Sequence, residues 1–266
     1  MAQSNPSSDD EAKAATLPFP TVQTIGFGAP FSWLAKGLSD LKSNPAASLF
    51  YGFCFAGMGL FVTFVFEHAY QYTSAATTGF LLMAPFFAMG LYELSRRRQQ
   101  GLPSALAPTL TVWRRNAGNI AVFAGVLTVI FLIWARASLV VFAVFYTKEL
   151  PNLSGFLSQV LSFENFEFLA VYFAVGLVFA TLVFAVSVVS IPLMLDRNQD
   201  AITSMIASIR ALALNTGPLL LWALLIVSLT ILGFLSFHIG LVAIMPIVGH
   251  ATWHAYRDLI APLDQS

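Results

Sequence analysis

The chain has 266 residues, of which 58% are hydrophobic and only 10% are charged. Soluble domains carry about 25% charged residues, so this composition excludes an ordinary soluble protein and indicates a membrane protein. Lys and Arg together number 13, as do Asp and Glu, which excludes a globally basic nucleic-acid-binding protein. The single cysteine, Cys54, excludes an intrachain disulfide and a CxxC metal site.

The first 24 residues are polar and acidic and lack the apolar run of a cleavable signal peptide. We expect a disordered cytoplasmic tail at residues 1–24. It is followed by a membrane domain at residues 25–260 and a short C-terminal tail at residues 261–266.

Six segments are long and apolar enough to cross a membrane, which takes about 20 residues. They are Ala46–Phe66, Ser74–Tyr92, Ala117–Tyr146, Phe166–Leu195, Pro218–Phe237 and Ile239–Tyr256. They form three hairpins, at residues 46–92, 117–195 and 218–256. The second span of each hairpin contains a proline (Pro85, Pro192 and Pro246), which predicts kinks because proline cannot donate the helical hydrogen bond.

The basic residues of the loops predict the orientation of the spans. Ten of them lie before the first span or after the second, fourth and sixth: Lys36, Lys42, Arg96, Arg97, Arg98, Arg114, Arg115, Arg197, Arg210 and Arg257. The opposite loops carry one cation, Lys148, among the acidic residues Glu67, Glu149, Glu164 and Glu167. The positive-inside rule then places both termini in the cytoplasm.

Each hairpin is preceded by a short amphipathic segment that ends in an asparagine, at Asn44, Asn116 or Asn215. The positions ten, six and three residues before each asparagine are large and apolar, a spacing that places them on one helical face. These trios are Leu34, Leu38, Leu41; Leu106, Leu110, Trp113; and Met205, Ile209, Leu212. The sequence therefore predicts an all-α membrane bundle of three hairpin repeats, each preceded by a cytoplasmic interfacial helix.

Two histidines near the end of the sixth predicted span, His250 and His254, have the four-residue spacing of ligands on one helical face. The other histidines, His68 and His238, fall at the opposite membrane face, and no HExxH motif occurs. We therefore favour helix-packing histidines, with a hydrogen bond from His250 to a neighbouring helix. A haem, copper or proton-relay role is the alternative, because ionisable groups inside membranes are often functional.

Arg136 falls at the outer end of the third span, at a height similar to Glu67, His68 and His238. An outer layer of these four residues is one interpretation, with Glu67 as the first candidate for the partner of Arg136 and Glu149 and Glu167 as the alternatives. A snorkelling arginine is the other interpretation. Asp196 and Arg197, at the cytoplasmic end of the fourth span, complete the polar candidates. The sequence predicts no metal site and no cofactor.

Small residues recur on one face of two spans, which permits close contact between helices. The first stripe is Gly52, Ala56, Gly59 and Thr63, and the second is Gly118, Ala121, Gly125 and Thr128. Packing within the chain is the simpler explanation, and contact with other membrane proteins is the alternative. No Walker A, GxGxxG or GxSxG motif occurs, which favours a protein that is not an enzyme.

Three stretches carry a resemblance to a known family: "WLAKGLSDLKSNPAASLFYG", "SIPLMLDRNQDAITSMIASIRALALNTGPLLLW" and "MPIVGHATWHAYRD". The chain resembles, over roughly residues 25 to 260, an uncharacterised family of proteobacterial integral-membrane proteins, defined by a domain of unknown function. The resemblance implies a bacterial inner membrane location and no particular activity.

These observations favour a non-enzymatic accessory, assembly or scaffold protein that contacts the lipid bilayer and other membrane proteins through small-residue helix faces. A transporter or channel for a small or amphiphilic solute is the first alternative, motivated by the proline-containing spans. A haem- or copper-binding membrane protein that uses His250 and His254 is the second.

Overall fold

The computed structural model describes residues 19–68, 87–145 and 166–262, and these residues are predominantly helical. The helices are numbered in chain order, and α3 is described over residues 87–99. Their bounds are α1 Ala29–Ser43, α2 Pro45–His68, α4 Ala117–Phe145, α5 Phe166–Ser187, α6 Ser190–Arg197, α7 Ala201–Leu214, α8 Thr216–Leu235 and α9 Leu241–Leu259.

The described residues contain four stretches of helix that are apolar and long enough to cross a membrane: Pro45–Val65, Ala107–Phe145, Phe166–Arg197 and Thr216–Leu235. They correspond to the first, third, fourth and fifth predicted spans. Most of the second predicted span lies outside the described residues. The sixth corresponds to α9, which is 19 residues long but ends in a polar half that contains His250, His254 and Arg257.

The centre of the fold is the packing of α9 against α1 and α2. Two glycines allow this close approach. A Cβ atom at Gly52 of α2 would overlap the carbonyl of Val242, and a Cβ atom at Gly37 of α1 would lie 2.5 Å from the carbonyl oxygen of Ile247. The small-residue stripe of the first span is therefore used within the chain, as the simpler interpretation of the sequence predicted.

The long fourth span is not one continuous helix. The helix is interrupted at Val188 and Val189, between α5 and α6, three residues before Pro192. Ser208 of α7 stabilises the break, because its hydroxyl donates to the carbonyl of Ala185 at 2.7 Å. The kink expected from a proline in this span is confirmed, and it lies at the cytoplasmic end of the predicted orientation.

The prediction of an interfacial α-helix before the second hairpin is wrong. Residues Ala107–Thr109 and Val112–Asn116 form two short 3-10 helices instead. Pro103 and Pro108 explain the difference, because neither supplies the backbone N–H that a continuous α-helix requires at its interior positions. The first and third predicted interfacial helices are α-helical and correspond to α1 and α7.

The three asparagines each stand at the junction before a long helix and hold another segment in place. The side-chain amide of Asn44 donates to the carbonyl of Ser104. That of Asn116 donates to the carbonyls of Met194 and Gln199 at 3.1 and 2.8 Å. Asn215 donates to the carbonyl of Gln23 at 2.9 Å and accepts from the amide of Ile25 at 2.8 Å.

The segments that flank the helical domain pair with each other. Val22 and Ile260 form an isolated antiparallel bridge. The amide of Gln23 donates to the carbonyl of Leu259 at 2.8 Å, and the amide of Ala261 donates to the carbonyl of Thr21 at 2.9 Å. The end of the predicted N-terminal tail is thus bound to the residues that follow α9, and we call this pairing the terminal clasp.

Candidate functional site

The side of α1 that faces the protein carries an aspartate. The spacing of three and four residues places Trp33, Gly37 and Asp40 on one face, and all three are buried. The middle members of the three apolar trios, Leu38, Leu110 and Ile209, are 39%, 48% and 46% exposed, whereas Leu34 of α1 is partly buried against the core. α1 therefore turns an acidic residue, and not Leu38, towards the interior of the protein.

The carboxylate of Asp40 accepts hydrogen bonds from three side chains on two other helices, α3 and α9. The hydroxyl of Ser95 on α3 donates to Oδ2 at 2.5 Å, and Nε2 of His254 on α9 donates to the same oxygen at 2.9 Å. The guanidinium of Arg98 donates to Oδ1. A carboxylate that is 6% exposed is costly to bury without such donors, and these three bonds satisfy it.

His250 lies beside this carboxylate and is 1% exposed. Its Nδ1 is 2.7 Å from the Ser95 hydroxyl, and its Nε2 is 2.9 Å from the Ser48 hydroxyl of α2. Ser95 has one proton, which it donates to Asp40, so Nδ1 of His250 donates to Ser95 and Nε2 accepts from Ser48. The ring is therefore a neutral imidazole with its proton on Nδ1, and it hydrogen-bonds both neighbouring helices.

His254 continues the hydrogen-bonded chain towards Trp253. Because Nε2 donates to Asp40, Nδ1 is the acceptor, and the side-chain amide of Gln99 donates to it at 3.3 Å. The oxygen of the same amide accepts from the indole N–H of Trp253 at 3.0 Å. All four ring nitrogens of His250 and His254 are thus engaged in hydrogen bonds. We call the connected residues the Asp40 network: Asp40, Ser48, Ser95, Arg98, Gln99, His250, Trp253 and His254.

The Asp40 network determines the protonation of its aspartate. Burial by itself would raise the pKa of Asp40, but the hydrogen bonds from His254 and Ser95 outweigh burial and hold this pKa at about 2. Asp40 is therefore ionised at any physiological pH. The guanidinium of Arg98, which donates to Oδ1, supplies a countercharge to this carboxylate.

A pocket of about 500 Å³ opens beside the network. Asp40, Arg98 and His250 contribute to its wall, as do the polar residues Asn44 and Ser104. The volume lies within the range of small-molecule sites, which is about 300–1,000 Å³. Within the described part of the chain, no group of three His, Cys, Asp or Glu side chains has the arrangement of a metal site.

The sequence did not indicate Asp40, Ser95 or Arg98 as partners of the histidines. The signal that identifies Asp40 is its register: it is seven residues after Trp33 and three after Gly37, on the face of α1 that packs against α9. Asp40 is not one of the polar residues within the predicted spans, because α1 precedes the first span.

Asp196 and Arg197, the other cytoplasmic candidates, contact the end of the chain and not the Asp40 network. Asp196 accepts from the hydroxyl of Tyr256 at 2.7 Å and from Nη1 of Arg257 at 3.3 Å. Arg197 donates to the carbonyl of Ala261. Both residues therefore attach α6 to the segment around the terminal clasp.

The candidates for an outer polar layer are brought together only in part. His238 has a positive φ of 67° and its Nε2 lies 3.3 Å from the hydroxyl of Thr63 on α2, one turn before Glu67. His68 and Arg136 are exposed. The side chain of Glu67 lies outside the described residues, so its pairing with Arg136 stays a prediction.

Residues 73–196 match a family model described as "Predicted integral membrane protein (DUF2189)". The match confirms the expected resemblance to integral membrane proteins with a domain of unknown function, over a shorter range than residues 25–260. No curated protein and no solved structure matches the chain. The matched range includes Ser95 and Arg98 of the Asp40 network, whereas Asp40, His250 and His254 lie outside it. With its long apolar helices, the chain is an integral membrane protein.

Proposed function

We propose that this chain is a non-enzymatic accessory protein of the bacterial inner membrane that assembles with another integral membrane protein. In this proposal it crosses the membrane six times, with both termini in the cytoplasm. The distribution of basic residues supports this orientation, because ten of the loop cations lie on the side of the termini. α9 would be the sixth span, with its polar half shielded from lipid by α1, α2 and α3.

The main support is the small-residue stripe of α4. Gly118, Ala121 and Gly125 are exposed, and a Cβ atom added to either glycine would have no described atom within 4 Å. The corresponding stripe of α2 differs, because α9 fills the space at Gly52, and His238 and Leu241 fill the space at Gly59. Stripes of this kind allow two helix backbones to approach closely, so the open stripe of α4 suits a helix of another protein.

The burial of the long helices supports the same proposal. Only 12% of the most apolar window of α4 and 11% of that of α5 are buried inside the described structure, against 33% for α2. Much of the surface of α4 and α5 is thus available to lipid or to a partner.

Purification from native membranes in a mild detergent tests the proposal. The wild-type protein should co-purify with a membrane protein in a fixed ratio, measured by mass spectrometry. Ala121→Leu, which fills the stripe of α4, should lose this partner while the isolated protein keeps its unfolding temperature. The matched control is Ala180→Leu, the same change at an exposed alanine of α5. Recovery of free wild-type monomer only would reject the proposal.

The pocket beside the Asp40 network favours a second candidate function, the binding and transport of a small polar solute. Ionisable groups buried in membrane proteins frequently mark such pathways. Uptake of labelled amines, carboxylates or sugars into proteoliposomes by the wild type, and not by Asp40→Asn, would favour transport over assembly. Haem or copper binding has less support, because His250 and His254 would have to give up ring hydrogen bonds to Ser48, Ser95, Asp40 or Gln99.

A further inference from the structure

A second buried carboxylate, that of Glu93 on α3, organises three arginine side chains. Its side chain is 1% exposed and accepts hydrogen bonds from Nε and Nη2 of Arg96 at 2.7 and 2.9 Å. It also accepts hydrogen bonds from Nη1 and Nη2 of Arg115 at 3.0 and 3.1 Å. Nη1 of Arg97 lies 3.6 Å from Oε1 of Glu93. One carboxylate neutralises one guanidinium, so this group of residues keeps an excess of positive charge.

A neighbouring acid does not remove this excess. Asp196 attracts Arg96, but it also accepts a hydrogen bond from Arg257 at 3.3 Å. Two carboxylates thus face four arginines in this part of the described structure, which leaves a formal charge of +2. We call these six residues the arginine cluster: Glu93, Arg96, Arg97, Arg115, Asp196 and Arg257.

Two arginines of the cluster are accessible from outside. The side chains of Arg115 and Arg257 are 44% and 41% exposed, whereas that of Arg96 is 16% exposed. A guanidinium has five N–H donors, and Glu93 takes one from each terminal nitrogen of Arg115, so donors remain for another acceptor. Because Glu93 already orders the guanidinium, a phosphate binding there would lose little side-chain entropy.

Exposed apolar side chains lie next to the cluster along the chain. Leu110, at the end of the first 3-10 helix, is 48% exposed, and Trp113, in the same 3-10 helix as Arg115, is 37% exposed. The guanidinium of Arg114 lies 5.4 Å from the centre of the Trp113 ring. A tryptophan beside arginines is typical of the headgroup level of a membrane, where an amphipathic ring contacts both apolar and polar groups.

We propose that the arginine cluster binds the phosphate-containing headgroup of an anionic phospholipid. In this site Arg115 and Arg257 bind the headgroup, and Leu110 and Trp113 contact the beginning of the acyl chains. The adjoining apolar side chains favour a lipid over a soluble phosphate, because a free phosphate would leave them without a partner. Basic pockets between transmembrane helices on the cytoplasmic side are suited to such headgroups.

The test measures thermal unfolding of the full-length protein in detergent micelles that contain phosphatidylglycerol or phosphatidylcholine. The wild type should unfold at a higher temperature with phosphatidylglycerol, and added salt should reduce the difference. Arg115→Gln and Arg257→Gln should each reduce the difference in unfolding temperature between the two lipids by at least half. The matched control is Arg136→Gln, the same change at an exposed arginine near the opposite end of α4.

Each outcome decides the proposal. If Arg115→Gln does not fold, Arg257→Gln provides the answer, because Asp196 keeps its hydrogen bond from Tyr256 in that variant. Equal stabilisation by the two lipids, or an equal loss in Arg136→Gln, would overturn it. Equal stabilisation by inorganic phosphate at the same concentration would assign the cluster to a soluble anion and reject the lipid.

Discussion

Nε2 of His254 donates a hydrogen bond to Oδ2 of Asp40 at 2.9 Å, although the two residues are 214 positions apart in the sequence. The bond joins α1, which precedes the first hairpin, to α9, the last long helix. Both side chains are buried. The pair therefore fixes the beginning and the end of the helical domain against each other.

Replacement of the buried carboxylate should be costly. Asp40→Asn removes the charge that pairs with Arg98. It also leaves one accepting oxygen where two oxygens now accept from Ser95, Arg98 and His254. Breaking a buried ion pair costs about 3–5 kcal/mol, and we expect a loss near the lower end because Arg98 is partly exposed. Thermal unfolding in detergent measures this loss of stability. Asp200→Asn is the control, since Asn is an equally good N-cap for α7; an equal loss in the control would contradict the assignment.

The ionised form of Asp40 predicts a specific dependence on pH. Its pKa is about 2 in the folded protein and about 3.9 in an unfolded chain. A lowered pKa stabilises the folded state above the unfolded value, and this stabilisation, about 2 kcal/mol, is lost as the pH falls towards 2. Between pH 5 and pH 3, the unfolding temperature of the wild type should therefore fall by more than that of Asp40→Asn. Parallel curves for the two proteins would refute this prediction.

The two histidines should differ in their sensitivity to substitution. His250→Leu leaves Ser48 and Ser95 without their ring partner in a buried environment, which costs about 1–3 kcal/mol. His254→Gln should cost less than about 1 kcal/mol, because the new amide retains a donor for Asp40. His68→Leu, at an exposed histidine, should leave the unfolding temperature unchanged.

Absorption spectra of the same purified proteins separate packing from ligation. A stoichiometric haem band or bound copper that is lost in both His250→Leu and His254→Gln would replace the packing interpretation by the ligand hypothesis.

Two glycines should respond in opposite directions to the same change. Gly52→Ala places a methyl group against the Val242 carbonyl, so α2 and α9 must separate and the protein should be destabilised by about 1–3 kcal/mol. Gly125→Ala meets open space and should stabilise α4 by up to about 1 kcal/mol, because alanine is the better helix former. Thermal unfolding of the isolated protein compares them; destabilisation by Gly125→Ala would mean that its stripe is already occupied within the chain.

Reporter fusions test the orientation. A reporter after Arg98 or after Gln199 should be active on the cytoplasmic side, because basic residues surround both positions. A reporter near Asn152 should be active on the periplasmic side. The opposite pattern of activities would invert the proposed topology, and a cytoplasmic signal at all three positions would reject six spans.

Four of the six predicted spans correspond to long apolar helices in the described residues, because a run of about 20 apolar residues has few alternatives in a membrane. The sequence did not predict the conformation before the second hairpin. The apolar spacing of Leu106, Leu110 and Trp113 matches a helix, but Pro103 and Pro108 remove backbone donors, and this local constraint overrides the spacing. Here the identity of two residues mattered more than the period of the pattern.

The candidate site was predictable only from its histidines. Their position near the end of an apolar run makes them conspicuous, whereas Asp40 lies in a segment that is rich in ordinary polar residues. The register that Asp40 shares with Trp33 and Gly37 becomes informative only once this face of α1 is known to pack against α9. The partner of Asp40 is 214 positions away, and only the packing of α1 on α9 brings the two together.

The terminal clasp has a consequence for the order in which the protein is completed during synthesis. Residues 21–23 leave the ribosome early, but their partners at 259–261 are made more than 230 residues later. At about 5–20 residues per second, the early segment waits on the order of tens of seconds for its partner. Over the same interval the carboxylate of Asp40 has Arg98 available but not His254. A nascent chain stalled before α9 would therefore expose both the unpaired backbone of residues 21–23 and a carboxylate that lacks its histidine donor.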